Sequence, residues 1–335
     1  MSTDRREAGL LSVIVPAYQE AASIEAVADE LSRVLRELPC ATELIVVDDG
    51  SEDDTAACAA RVRGVRVVRN PVNLGYGHSL LRGLAVARGE IIGICDADGS
   101  YPAAALPRLF ARIQQGVDHA IGARTGVHMR DRWMARQVYR WLCGYVVACR
   151  VPDANSGLRI FRREVVERLR GDLCRGFSFT TSLTLASLMA GYVVAFEEIP
   201  YGRRVGRSHV RFRDTLRTAQ YLFQLIALYN PLKLFLPVIA LAAALAGVAF
   251  ALAGLGLWSE AALAGWLMTA VTLLLVGLAA HAYIVSRVGL GSSPPPSVYD
   301  QAAQGPVQSE AGPSRPAPPA RAGGLERRAS DRRTR

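Results

Sequence analysis

Asp96 and Asp98, one residue apart in the stretch EIIGICDADGSYP (Glu90 to Pro102), are the pair in this chain best suited to hold a divalent cation. Ile91 to Cys95 is a short apolar run that reads as a strand buried on both faces, and Gly99 with Pro102 signals a turn followed by a helix start. Both carboxylates therefore fall at the carboxyl end of a strand, the edge where open α/β sheets collect their ligands. Hard oxygen ligands there suit Mg²⁺ or Mn²⁺ carrying the phosphates of a substrate. Taken alone, Asp98-Gly99 would read as a turn and Asp96 as a cap; the neighbouring stretches change that.

The elements that must position this pair are legible as an alternation. Leu11 to Val15 is a strand closed by Pro16, and Ser23 caps a helix to about Leu38 with Ile24, Val27, Leu31 and Leu35 on one face. Glu43 to Val47 is a second strand, ending in Asp48-Asp49-Gly50-Ser51. Asp53 or Asp54 caps a helix to about Arg63, Val65 to Arg69 is a third strand, and Tyr76 to Arg88 a third helix stopped by Gly89. A helix from about Ala103 to Gln115 and a strand from Val117 to Gly122 follow the fourth strand. Such alternation predicts an α/β fold with a mostly parallel sheet and helices on both faces. One crevice then gathers the loops after Val15, Val47 and Cys95.

Composition divides the chain. No charged residue occurs from Leu234 to Leu257 or from Ala261 to Ser286, so each run can cross a hydrocarbon core of about 30 Å as a helix. The short link Trp258-Ser259-Glu260 makes them a tight transmembrane hairpin, and the arginine-rich flanks put both ends in the cytoplasm. MSTDRREAGLLSVIVPAYQE has too short an apolar core for a signal sequence, so the N-terminal portion is expected on the cytoplasmic side. Arg132 to Cys149 mixes aromatics with arginines and fits either an interfacial helix or a packed core helix; Arg211 to Tyr229 reads as interfacial. Beyond Gly291 the chain is a Pro, Ala, Gly, Ser and Arg tail without the apolar content to fold. The expected division is 1–210 catalytic domain, 211–230 interfacial helix, 231–288 two transmembrane helices and 289–335 cytoplasmic tail. Six cysteines without C-x-x-C spacing argue against a disulfide framework or zinc site and agree with a reducing compartment. The net charge of +9, carried by arginine with Lys233 the only lysine, suits anionic lipid and phosphate-bearing substrates, with no nucleic-acid partner.

Five stretches, VIVPAYQE (Val13 to Glu20), ELIVVDDGSEDDT (Glu43 to Thr55), NLGYGHSLLRGLAVARGE (Asn73 to Glu90), DADGSYP (Asp96 to Pro102) and DANSGLRIF (Asp153 to Phe161), resemble glycosyltransferase family 2 in order and spacing. The resemblance is closest to its polyprenyl-phosphate sugar transferases, of the dolichyl-phosphate mannose synthase kind, and covers roughly residues 10 to 215. It implies a GT-A fold in which Pro16, Ala17, Tyr18, Glu20, Asp48, Asp49 and Asp96 bind the nucleotide sugar and Asp96 and Asp98 hold Mg²⁺ or Mn²⁺. Many relatives carry Gln where this chain has Ser100. On the acceptor side it implies Arg124, Ser156, Arg203, Arg204, Arg207 and Ser208 as phosphate ligands, with Arg159 in the same region. Asp98, Asp153 and Arg204 are the expected catalytic residues. The family segment R-x-x-G-x-S-K is matched by Arg203 or Arg204, Gly206 and Ser208, with His209 in place of lysine.

The function expected from these residues is metal-dependent transfer of one hexose from a nucleotide diphosphate sugar to undecaprenyl or dolichyl phosphate, with inversion, at the cytoplasmic face of the membrane. A homo-oligomer is left open. Two alternatives are a processive polysaccharide synthase, for which Gln137, Arg140 and Trp141 spell Q-x-x-R-W, and a non-catalytic membrane-anchored nucleotide-sugar-binding protein. The Q-x-x-R-W match precedes the acceptor segment and lies far from the spans, as a chance match would.

Overall fold

The computed structural model describes residues 9–126, 133–174, 176, 178–204, 232–254 and 260–288. Arg207, Ser208, His209, the segment Arg211 to Tyr229, the Trp258-Ser259 link and the tail from 289 lie outside the described residues.

Strands β1 (Leu10–Ala17), β2 (Ala41–Asp48), β3 (Val65–Arg69) and β4 (Ile91–Ile94) alternate with helices α1 (Ile24–Glu37), α2 (Thr55–Ala60) and α3 (Tyr76–Val86). A 3₁₀ turn (Ala103–Ala105) leads into α4 (Leu106–Gln114), then come β5 (His119–Thr125), α5 (Trp133–Val147), β6 (Arg159–Arg162), α6 (Arg163–Arg168), α7 (Phe179–Met189) and β7 (Val194–Pro200). The seven strands form one sheet in the order β3-β2-β1-β4-β6-β5-β7. Every pairing is parallel except those of β6, which runs antiparallel to both β4 and β5. The expected GT-A-like α/β fold with a mostly parallel sheet is what forms. Its one reversal was not legible, because DANSGLRIF reads as a loop motif and the antiparallel strand inside it is short.

The core lies on both faces of the sheet. On one, Val13, Val15 and Val46 meet α1 and α4 through Leu31, Leu109 and Phe110; on the other, Ile14, Ile45 and Ile92 meet Leu80 of α3 and Phe179 and Leu183 of α7. Burial on both faces explains why these strands are continuous apolar runs rather than alternating ones. α3 approaches the sheet closely at Gly83, where a Cβ would overlap Ile14. Ser23 sits at the start of α1 but does not cap it with its side chain; its hydroxyl is taken by Glu20, donating to the carbonyl at 3.2 Å and to Oε2 at 3.0 Å.

α5 has one buried and one exposed face. Cys143 and Val146 are buried with Tyr139 and Leu142, whereas Met134, Val138 and Trp141 are 73, 64 and 68% exposed. Two long apolar helices close the described chain, α8 (Leu232–Gly254) and α9 (Glu260–Val288), and they pack together, Gly277 of α9 lying against the Phe235 ring of α8. By length and composition one stretch among the described residues can cross a membrane, Ala264–Tyr283; the apolar stretch of α8, Phe235–Val248, is shorter. α8 is tied to α5: Lys233 Nζ donates to the carbonyls of Tyr145 (2.7 Å) and Val146 (3.0 Å), and Tyr145 Oη donates to the Lys233 carbonyl (2.5 Å). The only lysine thus satisfies carbonyls that the end of α5 would otherwise leave without partners.

Phe110, 1% exposed between α4 and the sheet, tests the packing. Phe110→Ala is expected to cost about 3–5 kcal/mol, read as a lowered midpoint in thermal unfolding of the detergent-purified protein.

Candidate active site

The carboxyl edges of β1, β2 and β4 form a crevice whose loops are tied to one another. Gln19, in a left-handed conformation (φ 54°), donates its N–H to Ser51 Oγ at 2.9 Å, and Glu20 donates its own to Thr55 Oγ1 at 2.9 Å. The loop after β1 is therefore fastened to the loop after β2. Pro16 and Ala17 are buried beneath it, and Tyr18 is half-buried.

Asp48 and Asp49 are both committed to the protein. Asp48 accepts from the Ser51 N–H at 3.1 Å, and its other oxygen lies 3.0 Å from Arg69 Nε. Asp49 accepts three bonds, from Asn70 Nδ2 (2.8 Å), the Leu74 N–H (3.0 Å) and the Gly75 N–H (2.7 Å). In this arrangement they tie the loop after β2 to the end of β3 and the loop beyond it.

At the end of β4, Asp98 Oδ1 accepts from the Ser100 N–H at 3.0 Å and from Ser100 Oγ at 2.5 Å. Ser100 therefore fixes Asp98 in its turn. Asp96 Oδ1 accepts from Tyr76 Oη at 2.9 Å. Burial, then the charge of Asp98, pushes the Asp96 carboxyl up to about 6. A half-buried carboxylate raised in this way by a second one fits a divalent cation, which would neutralise both. Among the described residues no third His, Cys, Asp or Glu joins the pair, so the remaining ligands of a bound cation would come from substrate phosphates and water, as is usual for Mg²⁺.

Arg204 stands where the two halves of the crevice meet. Its Nη2 donates to Glu20 Oε1 at 2.7 Å and its Nε lies 3.4 Å from Asp98 Oδ2, while that buried Nε makes no hydrogen bond. Burial raises the Glu20 carboxyl above its ordinary value, with the Asp98 charge adding to it against the opposing pull of Arg204 and Ser23. Arg203 beside it is exposed. Tyr201 and Gly202 pack this segment on the turn after β4: the Gly202 N–H donates to the Ser100 carbonyl (2.9 Å) and the Tyr201 and Tyr101 rings meet edge to face at 5.2 Å.

Asp153 and Arg124 form a bidentate pair, Nε to Oδ2 at 2.7 Å and Nη2 to Oδ1 at 2.9 Å, with the Arg124 N–H also donating to Oδ2 at 3.1 Å. Burial pushes the Asp153 carboxyl up, but the bonds from Arg124 outweigh it and hold the group below the ordinary carboxylate range. Arg124 also lies over the Tyr201 ring, 5.3 Å from its centre. Ser156 is fully buried and accepts from the Leu158 N–H at 3.4 Å, so its hydroxyl shapes the loop rather than reaching the crevice.

Arg159 differs from its expected role. It is fully buried, and its five donors go to the carbonyls of Ala154, Ser156 (twice) and Thr180 and to Thr184 Oγ1. It cannot bind an acceptor; it moors the DANSG loop to α7 from below. Burial lowers it to about 10, which leaves it charged at neutral pH. Sequence reasoning also missed Tyr76, whose place in NLGYG is the one signal that could have found it. Gln137, Arg140 and Trp141 sit on α5 with Trp141 outward and Arg140 Nε donating to the Pro152 carbonyl at 2.5 Å.

A carboxyl raised to about 6 binds its proton more tightly folded than unfolded, so the stability tied to it is present at low pH and is lost as pH rises through 6. Asp96→Asn is expected to raise the unfolding midpoint of the metal-free protein above pH 6 and to leave it unchanged below pH 4, measured by thermal unfolding in EDTA across pH 4 to 8.

Residues 12–170 match the family described as glycosyl transferase family 2. An uncharacterised glycosyltransferase of Mycobacterium tuberculosis is 33% identical over 202 residues, covering 58% of this chain and 87% of that protein. An undecaprenyl-phosphate 4-deoxy-4-formamido-L-arabinose transferase of Pseudomonas paraeruginosa is 32% identical over 254 residues, 72% of each chain. A crystal structure of glucosyl-3-phosphoglycerate synthase from Mycobacterium tuberculosis, in complex with Mn²⁺, UDP and phosphoglyceric acid, is similar with a TM-score of 0.51 and 27% identity, over 67% of this chain and 78% of that one. With a relative of that identity covered over most of its length, and five motifs gathered at one sheet edge, the chain belongs to glycosyl transferase family 2 and is a glycosyltransferase.

Proposed function

We propose that the protein transfers a single hexose from a nucleotide diphosphate sugar to polyprenyl phosphate, with inversion, at the cytoplasmic face of the membrane. The observation that carries this reading is the contact of Arg204 with both Glu20 and Asp98, which brings the acceptor-side segment onto the donor-side carboxylates. The similarity to a transferase named for undecaprenyl phosphate supports the acceptor class, and the similarity to a synthase crystallised with Mn²⁺ and UDP supports the donor class and the metal.

Asp96 and Asp98 would hold Mg²⁺ or Mn²⁺, which when bound supplies Lewis-acid stabilisation to the leaving nucleotide. The protein's own groups do the rest. A lipid monophosphate is already an anionic nucleophile at neutral pH, so the site needs cations to place it rather than a strong base. Asp153, held ionised and paired by Arg124, is suited to orienting rather than to proton abstraction. Arg204 pairs with both Glu20 and Asp98 and would trade those ion pairs for the acceptor phosphate, with the exposed Arg203 beside it; Arg207 and Ser208 extend the same reading beyond the described residues.

For the membrane, the reading is that α8 and α9 form a hairpin with both flanks in the cytoplasm, followed by the tail from 289. The apolar stretch Ala264–Tyr283 supports it, as does the exposed stripe Met134, Val138 and Trp141 on α5, which Lys233 joins to the root of α8. A binding protein without turnover would not need the paired carboxylates, and the Q-x-x-R-W match of a processive synthase leaves its Trp141 outward on α5.

Detergent-purified protein, incubated with a panel of labelled nucleotide sugars and with undecaprenyl or dolichyl phosphate, should form a lipid-linked product only with a divalent ion. Asp98→Ala is expected to lower turnover at least about a hundredfold without unfolding. Full activity in excess EDTA would rule the metal out. Arg204→Gln should raise the KM for polyprenyl phosphate about ten- to a hundredfold, as expected for loss of a charge-assisted contact, and that for the nucleotide sugar far less. Equal use of free polyprenol would overturn the acceptor. For topology, in a background without native cysteines, a cysteine at Ser259 should react with an impermeant reagent in intact cells and one at Ser309 should not; the opposite result rejects the hairpin.

A further inference from the structure

Asp49 follows directly on β2, yet its side-chain hydrogen bonds all go to the segment between β3 and α3. Asn70 Nδ2 and the N–H groups of Leu74 and Gly75 converge on its two oxygens at 2.7 to 3.0 Å. The loop is pressed in from the other side as well, since a Cβ on Gly50 would come within 2.6 Å of the Val72 backbone. Gly75 then turns the chain with φ 95°, a conformation that side chains other than glycine rarely adopt, and Tyr76 is the first residue of α3. Its ring packs beside the core between α3 and the sheet, and its hydroxyl donates to Asp96 Oδ1 at 2.9 Å.

The Asp96 carboxylate also lies against the Gly157 backbone. A Cβ at Gly157 would overlap the Asp96 carboxylate, and the Gly157 N–H is held by Tyr101 Oη at 2.7 Å. Asp96 is thereby held by the Tyr76 phenol at Oδ1 and by the Gly157 backbone packed against its carboxylate. Bonds of this kind orient a ligating carboxylate before the metal arrives.

We propose that Tyr76 and Asp49 are positioning residues of the cation site: Asp49 pins the start of α3, and Tyr76, so placed, fixes Asp96 with one oxygen left for a divalent cation. This rests on the assignment of Asp96 and Asp98 as the metal pair. It also gives Asp49 a task other than contact with the nucleoside.

The test is Mn²⁺ binding by the full-length protein in detergent, with free Mn²⁺ counted by electron paramagnetic resonance and folding checked by thermal unfolding. Tyr76→Phe keeps the ring and is expected to weaken Mn²⁺ binding about tenfold at an unchanged unfolding midpoint. Asp49→Asn should weaken binding in the wild-type background but add little in the Tyr76→Phe background, because it acts through Tyr76. Wild-type Mn²⁺ affinity in Tyr76→Phe, with binding lost in Asp98→Ala, would overturn the positioning role and leave the metal pair standing. Fully additive effects of the two changes would remove Asp49 from the chain of action. Unchanged affinity in Asp98→Ala would instead sink the metal pair and this inference with it.

Discussion

Two carboxylates one residue apart at the end of a doubly buried strand repel each other where water screens them poorly, and the surrounding groups answer that repulsion. Tyr76 and Ser100 each donate to one of the pair, and Arg204 sets a guanidinium against Asp98 and Glu20 together. Arg159 places a buried charge beneath the adjoining loop without a carboxylate of its own to neutralise it. The crevice is therefore an acidic centre inside a cationic frame. That division suits chemistry in which negative charge builds on a departing diphosphate while an anionic acceptor comes from the opposite side.

The frame is rigid for reasons that are local. Arg159 has every donor satisfied by carbonyls and one hydroxyl, and a buried guanidinium so engaged is costly to dislodge. Thr180 and Thr181 offer their hydroxyls to Asn155 Oδ1, and Thr184 donates to the Ala154 carbonyl at 3.0 Å. α7 is nearly all buried although it is rich in Ser and Thr, and that composition makes sense once it is seen as the bed on which the DANSG loop lies.

The parallel half was legible because strands buried on both faces leave unbroken apolar runs and because turn residues punctuate them. The pair Asp96 and Asp98 was legible for the same reason: strand pattern and turn fixed which edge they occupy. β6 was hidden because four residues carry no period, and its antiparallel course depends on what lies beside it. Arg159 misled for a physical reason. A charged residue in a motif suggests ligand contact, but its side chain can serve as well by satisfying backbone groups of the loops that hold the ligand residues. Only the hydrogen-bond partners distinguish the two uses. Arg207 and Ser208 fall outside the described residues, so their expected contacts rest on the motif.

The reversal of β6 reaches further than sheet order. A strand that runs against its neighbours brings its amino end, rather than its carboxyl end, to the edge where the crevice lies, and the Asp153 to Gly157 loop enters the site by that route. On the proposed reading, the donor-side residues come from one unbroken stretch through β4, while the acceptor-side ones come from later segments hung on β5, β6 and β7. The two halves can thus diverge separately. Insertions between β5 and β6, or after β7, lengthen acceptor-side loops without altering any connection in the first four strands, so one donor framework can be paired over evolutionary time with many different acceptors.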